Sequence, residues 1–394
     1  MATENEFLNF SWRRPQPQGA LNHLYLPPLK IKKMFPFVRS FRDSRMARDV
    51  CRLIEELAGD RRVRIVHVCG THEDTITKYG LRSLLPPNVE VLMGPGCPVC
   101  TVPPNRIDSA IRLAESGVTV TTFGDMVRVP AGRGSLADAK ARGADIRIVY
   151  GIHDAVRIAE RLDNEVVHFA VGFETTAPTA AAELIAGPPE NFSIYSAHLL
   201  IPPAMMHLLE AGETPVDGFI NPGHVSTIIG VQGYREVETR HRVPQVIAGF
   251  EPLDVLFAVA MILRQLDEGR GEIENEYSRV VKEEGNPRAL ELMAEAFEPV
   301  DAPWRGIGTI PRSGLAVSRR FEEYDASKRF DMEVEESYAM PEGCRCGEVL
   351  RALIYPWDCP LFNTVCTPES PVGPCMVSQE GGCYISAKYG VERS

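Results

Sequence analysis

Short β-branched runs alternate with amphipathic helical segments along most of this chain, and this alternation limits the fold more than any other feature. RVRIVHV (62–68) precedes a helical segment, and VVHFAV (166–171) precedes the alanine-rich TAAAELIAG. Strands and helices that alternate at this spacing predict parallel sheets with helices on both faces. The tripeptide GFE follows a predicted strand twice, at 172–174 and at 249–251, which indicates two related α/β halves.

Charge and hydropathy argue against two classes of protein. The 394 residues carry a formal charge of −11, whereas nucleic-acid and anionic-membrane binders need clustered Lys and Arg. The longest apolar run near a helix, residues 255–263, is about half of what a bilayer requires. Arg13-Arg14 resembles the start of an export signal, but prolines interrupt the segment after it. We expect residues 1–35 to be a flexible extension and the chain to stay in a reducing cytoplasm, where structural disulfides are uncommon.

Four loops that follow predicted strands carry an unusual density of Cys, His, Glu and Thr. Their sequences are CGTHE, GPGCPVC, GFETTAP and NPGHVS. Ligands of open parallel sheets bind beyond the carboxyl ends of the strands, which is where all four loops lie. Any one of these loops is also typical of turns and helix caps. Four of them at one predicted edge, with three thiols among them, favour a functional site.

The second of these loops holds Cys97 and Cys100, with Pro98 between them and a predicted helix just downstream. The pair suits a disulfide, half a zinc site or a redox-active dithiol. A four-ligand metal site would need two more thiols, and the nearest in sequence is Cys69. A helix dipole favours a thiolate, so we favour a redox-active CxxC over half a zinc knuckle.

Six of the ten cysteines occur in the last 51 residues, which are rich in Pro and Gly and poor in core residues: Cys344, Cys346, Cys359, Cys366, Cys375 and Cys383. Such a segment needs a covalent or metal staple. The paired CxxC knuckles of structural zinc are absent. The spacing of Cys359, Cys366 and Cys383, with Cys344 or Cys346 upstream, favours an iron–sulfur cluster, and Cys359-Pro360 resembles a ferredoxin ligand. Zinc and redox-labile thiols are the alternatives.

Taken together, these motifs resemble the HypD family of hydrogenase maturation proteins. The resemblance rests on CGTHE, YGLRSLLPPNVEVLMGPGCPVC, TFGDMVRVPAG, VGFETTAPTAAA, NPGHVSTIIG and CTPESPVGPCMVSQEGGC, and it extends from about residue 36 to the C-terminus. Two departures are local: Glu73-Asp74 stands where a second His is common, and ISAKYG replaces a more aromatic ending.

The resemblance implies an α/β fold of two similar open parallel-sheet domains plus a small irregular cysteine-rich iron–sulfur domain. Residues 36–145 would form the α/β domain with the CGTHE and GPGCPVC loops. Residues 146–265 would form the second, with the GFETT and NPGHVS loops. Residues 266–394 would supply connecting helices and a C-terminal [4Fe–4S] domain.

The resemblance also implies a function. With a HypC-type partner, such proteins assemble the Fe(CN)2(CO) unit of [NiFe]-hydrogenase, and cyanide arrives from a HypE-type partner as a protein thiocyanate. Cys69 would hold the transient iron, Thr71 and His72 would shape its surroundings, and Cys97 and Cys100 would relay electrons from the cluster. Further candidates from matching motifs are Glu174, Thr175, Asn221 and His224. The implied cluster ligands are Cys359, Cys366 and Cys383, with Cys344 or Cys346 as the fourth.

Two expectations concern the chemistry at Cys69. Helix N-terminal amides after Cys69 should favour its thiolate. His72 is a candidate donor of a proton or a hydrogen bond to bound cyanide. Two other functional classes are open. A stand-alone thiol–disulfide oxidoreductase with a structural metal site explains Cys97 and Cys100 alone, and a zinc-stapled binding module explains only the C-terminus.

Overall fold

A computed structural model describes residues 41–330, 332 and 340–391, so the predicted extension, residues 1–35, lies outside the described residues. The strands are Val63–His67 (β1), Val89–Met93 (β2), Thr119–Thr122 (β3), Ile146–Ile148 (β4), Val166–Gly172 (β5), Phe192–His198 (β6), Gly218–Pro222 (β7), Gln245–Ala248 (β8), Ile273–Asn275 (β9), Phe297–Trp304 (β10) and Gly308–Val317 (β11).

The α-helices are Ser44–Ala58 (α1), Gly70–Lys78 (α2), Pro98–Thr101 (α3), Pro104–Glu115 (α4), Leu136–Ala141 (α5), Ile152–Ala159 (α6), Ala177–Ala186 (α7), Ile201–Ala211 (α8), Gly223–Ile229 (α9), Arg235–His241 (α10), Pro252–Asp267 (α11), Pro287–Ala296 (α12), Ala326–Arg329 (α13), Cys346–Leu350 (α14), Pro374–Val377 (α15) and Gly382–Lys388 (α16). Short 3₁₀ helices span Leu81–Leu84, Gly124–Arg128, Gln232–Tyr234, Arg319–Tyr324 and Pro356–Asp358.

Two parallel sheets form the body of the molecule, which confirms the predicted α/β class. The first has the order β2-β1-β7-β8-β9 and the second the order β4-β3-β5-β6. Both faces of the first sheet are buried, as in other parallel sheets. Along β1, Ile65 packs in the core with α1 and α11, while Val66 packs on the opposite face with α8 and α9.

Each sheet has one pair of adjacent strands from which the chain continues outward in opposite directions across the sheet. In the first sheet, β1 leads outward to β2 and β7 leads outward to β8, so this pair is β1 and β7. In the second sheet the pair is β3 and β5. Open α/β sheets bind their ligands in the crevice at such a switch point. The CGTHE and NPGHVS motifs flank the first crevice, and GFETT borders the second.

The two sheets do not coincide with the two consecutive α/β domains predicted from the sequence. Residues 36–145 contribute β1 and β2 to the first sheet and β3 to the second, and residues 146–265 also contribute strands to both. The chain leaves the first sheet after two strands, builds the second, and returns through β7. The two GFE tripeptides therefore follow non-equivalent strands, β5 and β8, although the two sheets share the same pattern of connections.

The segment after residue 266 also differs from the predicted connecting helices. It begins with β9 and α12 and continues with an antiparallel hairpin of β10 and β11, whose register shifts between Val300 and Ala302. Predicting the hairpin from hydropathy alone is difficult because only parts of its strands are buried. Its turn, at residues 305–307, lies against Gly347 of the C-terminal segment.

Helix α11 explains the apolar run at 255–263. It packs against α1 and the first sheet, and nearly all of its apolar side chains are buried there. Within the residues that the structure describes, no helix has the length and hydropathy needed to cross a membrane.

The cysteine-rich C-terminal segment packs on α2, at the carboxyl edge of the first sheet. Helix α16 contacts α2, and there Asp74 accepts hydrogen bonds from Lys388 Nζ and Tyr389 Oη, both at 3.0 Å. Asp74 and the ISAKYG ending are the two departures from the family motifs. They touch each other, so both departures belong to the contact between α16 and α2.

Candidate functional site

The loop that carries Cys69 lies directly against the loop that carries Cys97 and Cys100. Cys69 follows β1 and is the N-cap residue of α2, with 7% of its surface exposed. Gly70 N–H donates to the Gly96 carbonyl over 3.2 Å, and Gly94 N–H donates to the His67 carbonyl over 2.8 Å. A Cβ at Gly96 would overlap the backbone of Cys69, so only glycine permits this approach.

Burial controls the protonation of Cys69. It raises the pKa of the thiol to about 12, and the nearby Glu380 carboxylate acts in the same direction. The polar groups of Thr71 and His72 at the N-terminus of α2 lower that pKa, but they do not outweigh burial. Burial therefore keeps the Cys69 thiol protonated at neutral pH, contrary to the expectation of a thiolate. A metal that binds Cys69 must displace a proton.

His72 is buried beside Cys69 in its neutral form. Its Nε2 lies 2.9 Å from the Gly249 carbonyl oxygen and therefore carries the proton. Burial, assisted by His67, lowers the pKa of His72 to about 3. Its Nδ1 is buried without a hydrogen-bond partner. At neutral pH His72 is thus uncharged: its Nε2–H is used by the Gly249 carbonyl, and Nδ1 offers a free lone pair instead of the expected proton.

The second crevice holds Glu174, which follows β5. Its Oε1 accepts a 2.9 Å hydrogen bond from Ile201 N–H, while Oε2 is buried without a partner. Burial raises the pKa of Glu174 to about 7. Val68 and Phe173, the chain neighbours of Cys69 and Glu174, belong to one buried cluster, so the two crevices are neighbours. Thr175, by contrast, is exposed at the surface.

Asn221 and His224 occupy different environments. Asn221 is fully buried within β7, where its Nδ2 donates to Gln245 Oε1 over 3.2 Å and its Oδ1 has no partner. His224 is exposed just after β7 and stacks on Phe250 at 4.1 Å. Phe250 also contacts His72, at 5.1 Å between ring centroids. His224 therefore belongs to the rim of the Cys69 crevice, whereas Asn221 is buried within the first sheet.

Cys97 and Cys100 form a disulfide across the first turn of α3, with Cα atoms 5.3 Å apart. Both residues are 0% exposed. A disulfide is the oxidised form of the predicted dithiol. Its burial matters for function, because thiols that exchange with outside partners are normally accessible to solvent.

A second disulfide joins Cys346 and Cys375 in the C-terminal segment. Helix α15, which carries Cys375, packs on α3, and both disulfides belong to one apolar cluster. Disulfides were expected to be uncommon in this chain, and here two share one buried region. Cys346, an open candidate for the fourth cluster ligand, is engaged in this bond.

Four free thiols line a cavity beside the second disulfide. They belong to Cys344, Cys359, Cys366 and Cys383. The cavity has an empty volume of about 280 Å³, part of it open to solvent. Burial raises the pKa of Cys344 to about 11 and that of Cys383 well above its usual value, and neighbouring cysteines raise both further.

The four thiols of the cavity can be compared with the two metal groups that the sequence left open, zinc and an iron–sulfur cluster. All four donors are thiols, and both structural zinc and a [4Fe–4S] cluster can take four cysteines. In a cluster each cysteine binds a different iron, so four thiols that line one cavity fit that group.

A buried ion network fixes the backbone next to Cys69. His67 lies 3.1 Å from the Cys69 carbonyl oxygen through Nδ1 and 2.7 Å from Glu73 Oε2 through Nε2. Both oxygens of Glu73 accept from Arg82, at 2.6 and 2.9 Å. Arg82 also lies over the ring of Tyr355 in the C-terminal segment. The network thus connects that segment to the Cys69 loop.

We expect Glu73→Gln to destabilise the protein by about 3–5 kcal/mol, because it leaves Arg82 and His67 without their buried partner. Burial raises the pKa of Glu73, but Arg82 and His67 outweigh burial and hold that pKa well below its usual range. The stabilisation is therefore present above about pH 4.5 and lost as the pH falls through the lowered pKa of the folded state. Urea denaturation at neutral and acid pH measures this difference.

Glu90→Gln is the matched control. It breaks the Arg64–Glu90 pair, which has the same chemistry at 2.9 Å but is partly exposed. It should cost at most about 1 kcal/mol. Equal losses for the two variants would contradict a special role for the buried network.

Three parts of the site were not identified from the sequence. Cys375 pairs with Cys346, Glu380 contacts the backbone at Gly70, and Arg82 anchors Glu73. Cys375 and Glu380 lie inside the motif CTPESPVGPCMVSQEGGC, and Arg82 inside YGLRSLLPPNVEVLMGPGCPVC. The motifs were the available signal, but residue type and spacing alone did not assign these three side chains to the site.

Fold and site together define a class: a two-sheet α/β protein whose reactive groups are thiols, gathered from the carboxyl edge of the first sheet and a cysteine-rich segment. The profile of the HypD family, described as "Hydrogenase formation hypA family", matches residues 45–390. The chain therefore belongs to the HypD family of hydrogenase maturation factors.

Individual relatives agree over nearly their whole length. Hydrogenase maturation factor HypD2 of Bradyrhizobium diazoefficiens is 48% identical over 373 residues, covering 90% of this chain and 97% of the relative. HypD of Rhizobium leguminosarum bv. viciae is 46% identical, covering 90% and 95%. HypD of Cupriavidus necator is 44% identical, covering 90% and 97%.

Proposed function

We propose that this chain, with a HypC-type partner, assembles the Fe(CN)2(CO) unit of [NiFe]-hydrogenase, with cyanide delivered by a HypE-type partner. Cys69 holds the iron being assembled, and Cys97 and Cys100 supply electrons to that site. One observation carries the proposal: the backbone contact between Gly70 and Gly96 places a free thiol next to a buried disulfide.

The Cys69 crevice suits an iron that enters as cargo. It offers one thiol at the switch point of the first sheet, and the lone pair of His72 Nδ1 is buried nearby without a partner. Few groups of the chain are thus available to fill the coordination sphere. That leaves positions for a cysteine of the HypC-type partner and for diatomic ligands.

The C-terminal thiols suit a [4Fe–4S] cluster held by Cys344, Cys359, Cys366 and Cys383. When bound, such a cluster supplies one-electron transfer. Among the two open candidates for the fourth ligand, the free thiol of Cys344 favours that residue over Cys346.

The two disulfides form a path for electron pairs through the protein's own residues. Each takes two electrons and two protons from a low-potential reductant and becomes two thiols. The Cys346/Cys375 dithiol can pass this pair inward by thiol–disulfide exchange: one thiolate attacks the Cys97–Cys100 bond and the second resolves the mixed disulfide. The apolar cluster shared by the two pairs keeps the exchange away from solvent thiols.

One reduced Cys97/Cys100 pair matches the demand of one cyanide transfer. Cleaving the sulfur–carbon bond of a protein thiocyanate consumes two electrons. It yields one thiol on the donor, one cyanide ion for the iron, the reformed disulfide and one released proton. The stoichiometry requires no oxidant, and the reductant of the preceding step restores the dithiol.

Burial argues against the stand-alone oxidoreductase. Both cysteines of the GPGCPVC loop are fully buried, whereas an enzyme that exchanges disulfides with varied proteins needs an accessible attacking thiol. We place the chain in the reducing cytoplasm, where both disulfides can cycle.

The experiment combines thiol trapping with a maturation assay. Cells that lack their own HypD-family gene receive the wild type, Cys97→Ser or Cys100→Ser, and hydrogenase activity is measured. We expect either substitution to reduce activity to background, because a single thiol cannot deliver an electron pair. In the purified wild type, alkylation after acid quenching and unfolding should label Cys97 and Cys100 only if the protein was first reduced.

Cys51→Ser is the control, since Cys51 lies in α1, outside the site, and should leave activity unchanged. Full activity of Cys97→Ser would contradict the electron-supply role. Reduction of an unrelated protein disulfide by the reduced wild type, without any partner, would instead favour the oxidoreductase.

A further inference from the structure

Arg305 is an arginine buried between the two redox regions of the molecule. It lies in the turn between β10 and β11, and 1% of its surface is exposed. Its backbone N–H donates to the Thr101 carbonyl at the end of α3, over 2.8 Å. Its Nη2 donates to the Pro130 carbonyl, also over 2.8 Å. These contacts fix the guanidinium beside the helix that carries Cys97 and Cys100.

Two N–H groups of Arg305 have no partner. Nε and Nη1 are both buried and make no hydrogen bond. Within the described ranges, no carboxylate forms an ion pair with Arg305, whereas most other buried or half-buried arginines of the site region have one. An unpaired buried charge is costly, so its persistence indicates a missing anionic partner.

The turn that carries Arg305 packs against the segment that holds the four free thiols. Gly306 lies against Gly347 of α14, and Ile307 and Cys344 pack against the same apolar cluster. Burial lowers the pKa of Arg305 to about 10, while Cys344 and Asp108 act in the opposite direction. The guanidinium therefore stays charged at neutral pH and lies within electrostatic range of one of the four free thiols.

We propose that Arg305 is the buried counter-charge of the metal–thiolate group held by Cys344, Cys359, Cys366 and Cys383, and that it raises the reduction potential of this group. The inference rests on the cluster of the proposed function. A cluster gains negative charge on reduction, and a nearby cation with free N–H donors stabilises the reduced form more than the oxidised form. Arg305 thus acts on the cluster through its charge and is not one of the cluster's ligands.

The test is a redox titration of the anaerobically purified full chain. It is followed by cluster absorbance and electron paramagnetic resonance, with dithionite as reductant and mediator dyes. At the potential where the wild type is half reduced, Arg305→Met should show a ratio of reduced to oxidised cluster at least tenfold lower. That ratio corresponds to about 59 mV for a one-electron couple. Arg305→Lys retains the charge and should shift less.

Arg345→Gln is the matched control. Arg345 lies between Cys344 and Cys346 and is within electrostatic range of Cys359, but it is partly exposed and its Nε donates to Glu348 over 2.7 Å. In Arg345→Gln, the ratio of reduced to oxidised cluster should differ less than twofold from that of the wild type. Iron and sulfide analysis accompanies every sample.

The outcomes separate this inference from the proposed function. A wild type without iron and sulfide would overturn the cluster itself. A wild type with its cluster and an Arg305→Met variant of unchanged potential would overturn only the role of Arg305. Loss of the cluster in both Arg305→Met and Arg305→Lys would also overturn it, because Arg305 would then be a structural residue rather than a counter-charge.

Discussion

Replacing Cys69 with alanine is expected to remove the cyanide and carbonyl infrared bands from the complex of this chain with the proposed HypC-type partner. Cys69 is the free thiol at the first switch point. Without it, the iron loses its ligand from this chain. Hydrogenase activity in complemented cells should fall to background. The difference in infrared absorbance between wild type and variant, at equal protein concentration, measures the effect.

The fold should survive this substitution. Cys69 occupies an N-cap position but makes no side-chain capping bond, so alanine costs α2 little. Circular dichroism and the iron content of the C-terminal segment should therefore match the wild type. Cys51→Ala, which removes a thiol from α1, should retain the infrared bands. Persistence of the bands in Cys69→Ala, together with normal hydrogenase maturation, would reduce Cys69 to a packing residue.

Replacing Cys383 with alanine should abolish the brown colour of anaerobically purified protein and reduce its iron from about four per chain to background. Cys383 lies in α16, within the apolar cluster that also contains Met93 and Cys97. Because a metal group stabilises the segment that supplies its ligands, the variant should also unfold this segment more readily. Metal analysis and limited proteolysis measure the two effects.

The two cysteines that the sequence could not separate give the sharper comparison. Cys344→Ala should lose the cluster, because its thiol is one of the four that line the cavity. Cys346→Ala should retain it, since Cys346 is bonded to Cys375. The reverse result would show that Cys346 is the ligand. Stoichiometric zinc without sulfide in the wild type would contradict the cluster altogether.

Local patterns were enough to predict the parallel strands and the loops that follow them. VEVLM coincides with β2, and RVRIVHV contains β1, because a strand buried on both faces needs consecutive apolar and β-branched residues. Loops after such strands meet at one sheet edge, so the amino-acid sequence alone predicts that Cys69 lies near the Cys97/Cys100 pair.

Local patterns did not predict the antiparallel hairpin, the second disulfide or the protonation states of the buried side chains. The β10–β11 hairpin is only partly buried, and its hydropathy pattern is correspondingly weak. The bond between Cys346 and Cys375 depends on a chain path through the Pro- and Gly-rich segment that spacing does not determine. The protonation states of Cys69 and His72 depend on burial. Burial outweighs the helix amides at Cys69 and keeps its thiol protonated, and it leaves the His72 ring uncharged.

The interleaved order of the two sheets has a consequence for synthesis of the chain on the ribosome. A nascent chain that has reached residue 198 already contains every strand of the second sheet, which can fold at once. The loops of Cys69 and Cys97 emerge earlier, yet β1 lacks its neighbour β7 until residue 222 has been added. Such sequence-distant pairings form late. The Cys69 crevice is thus completed after the segments that carry the thiols of Cys69, Cys97 and Cys100 have been synthesised, so the completed fold does not protect these thiols during that part of translation.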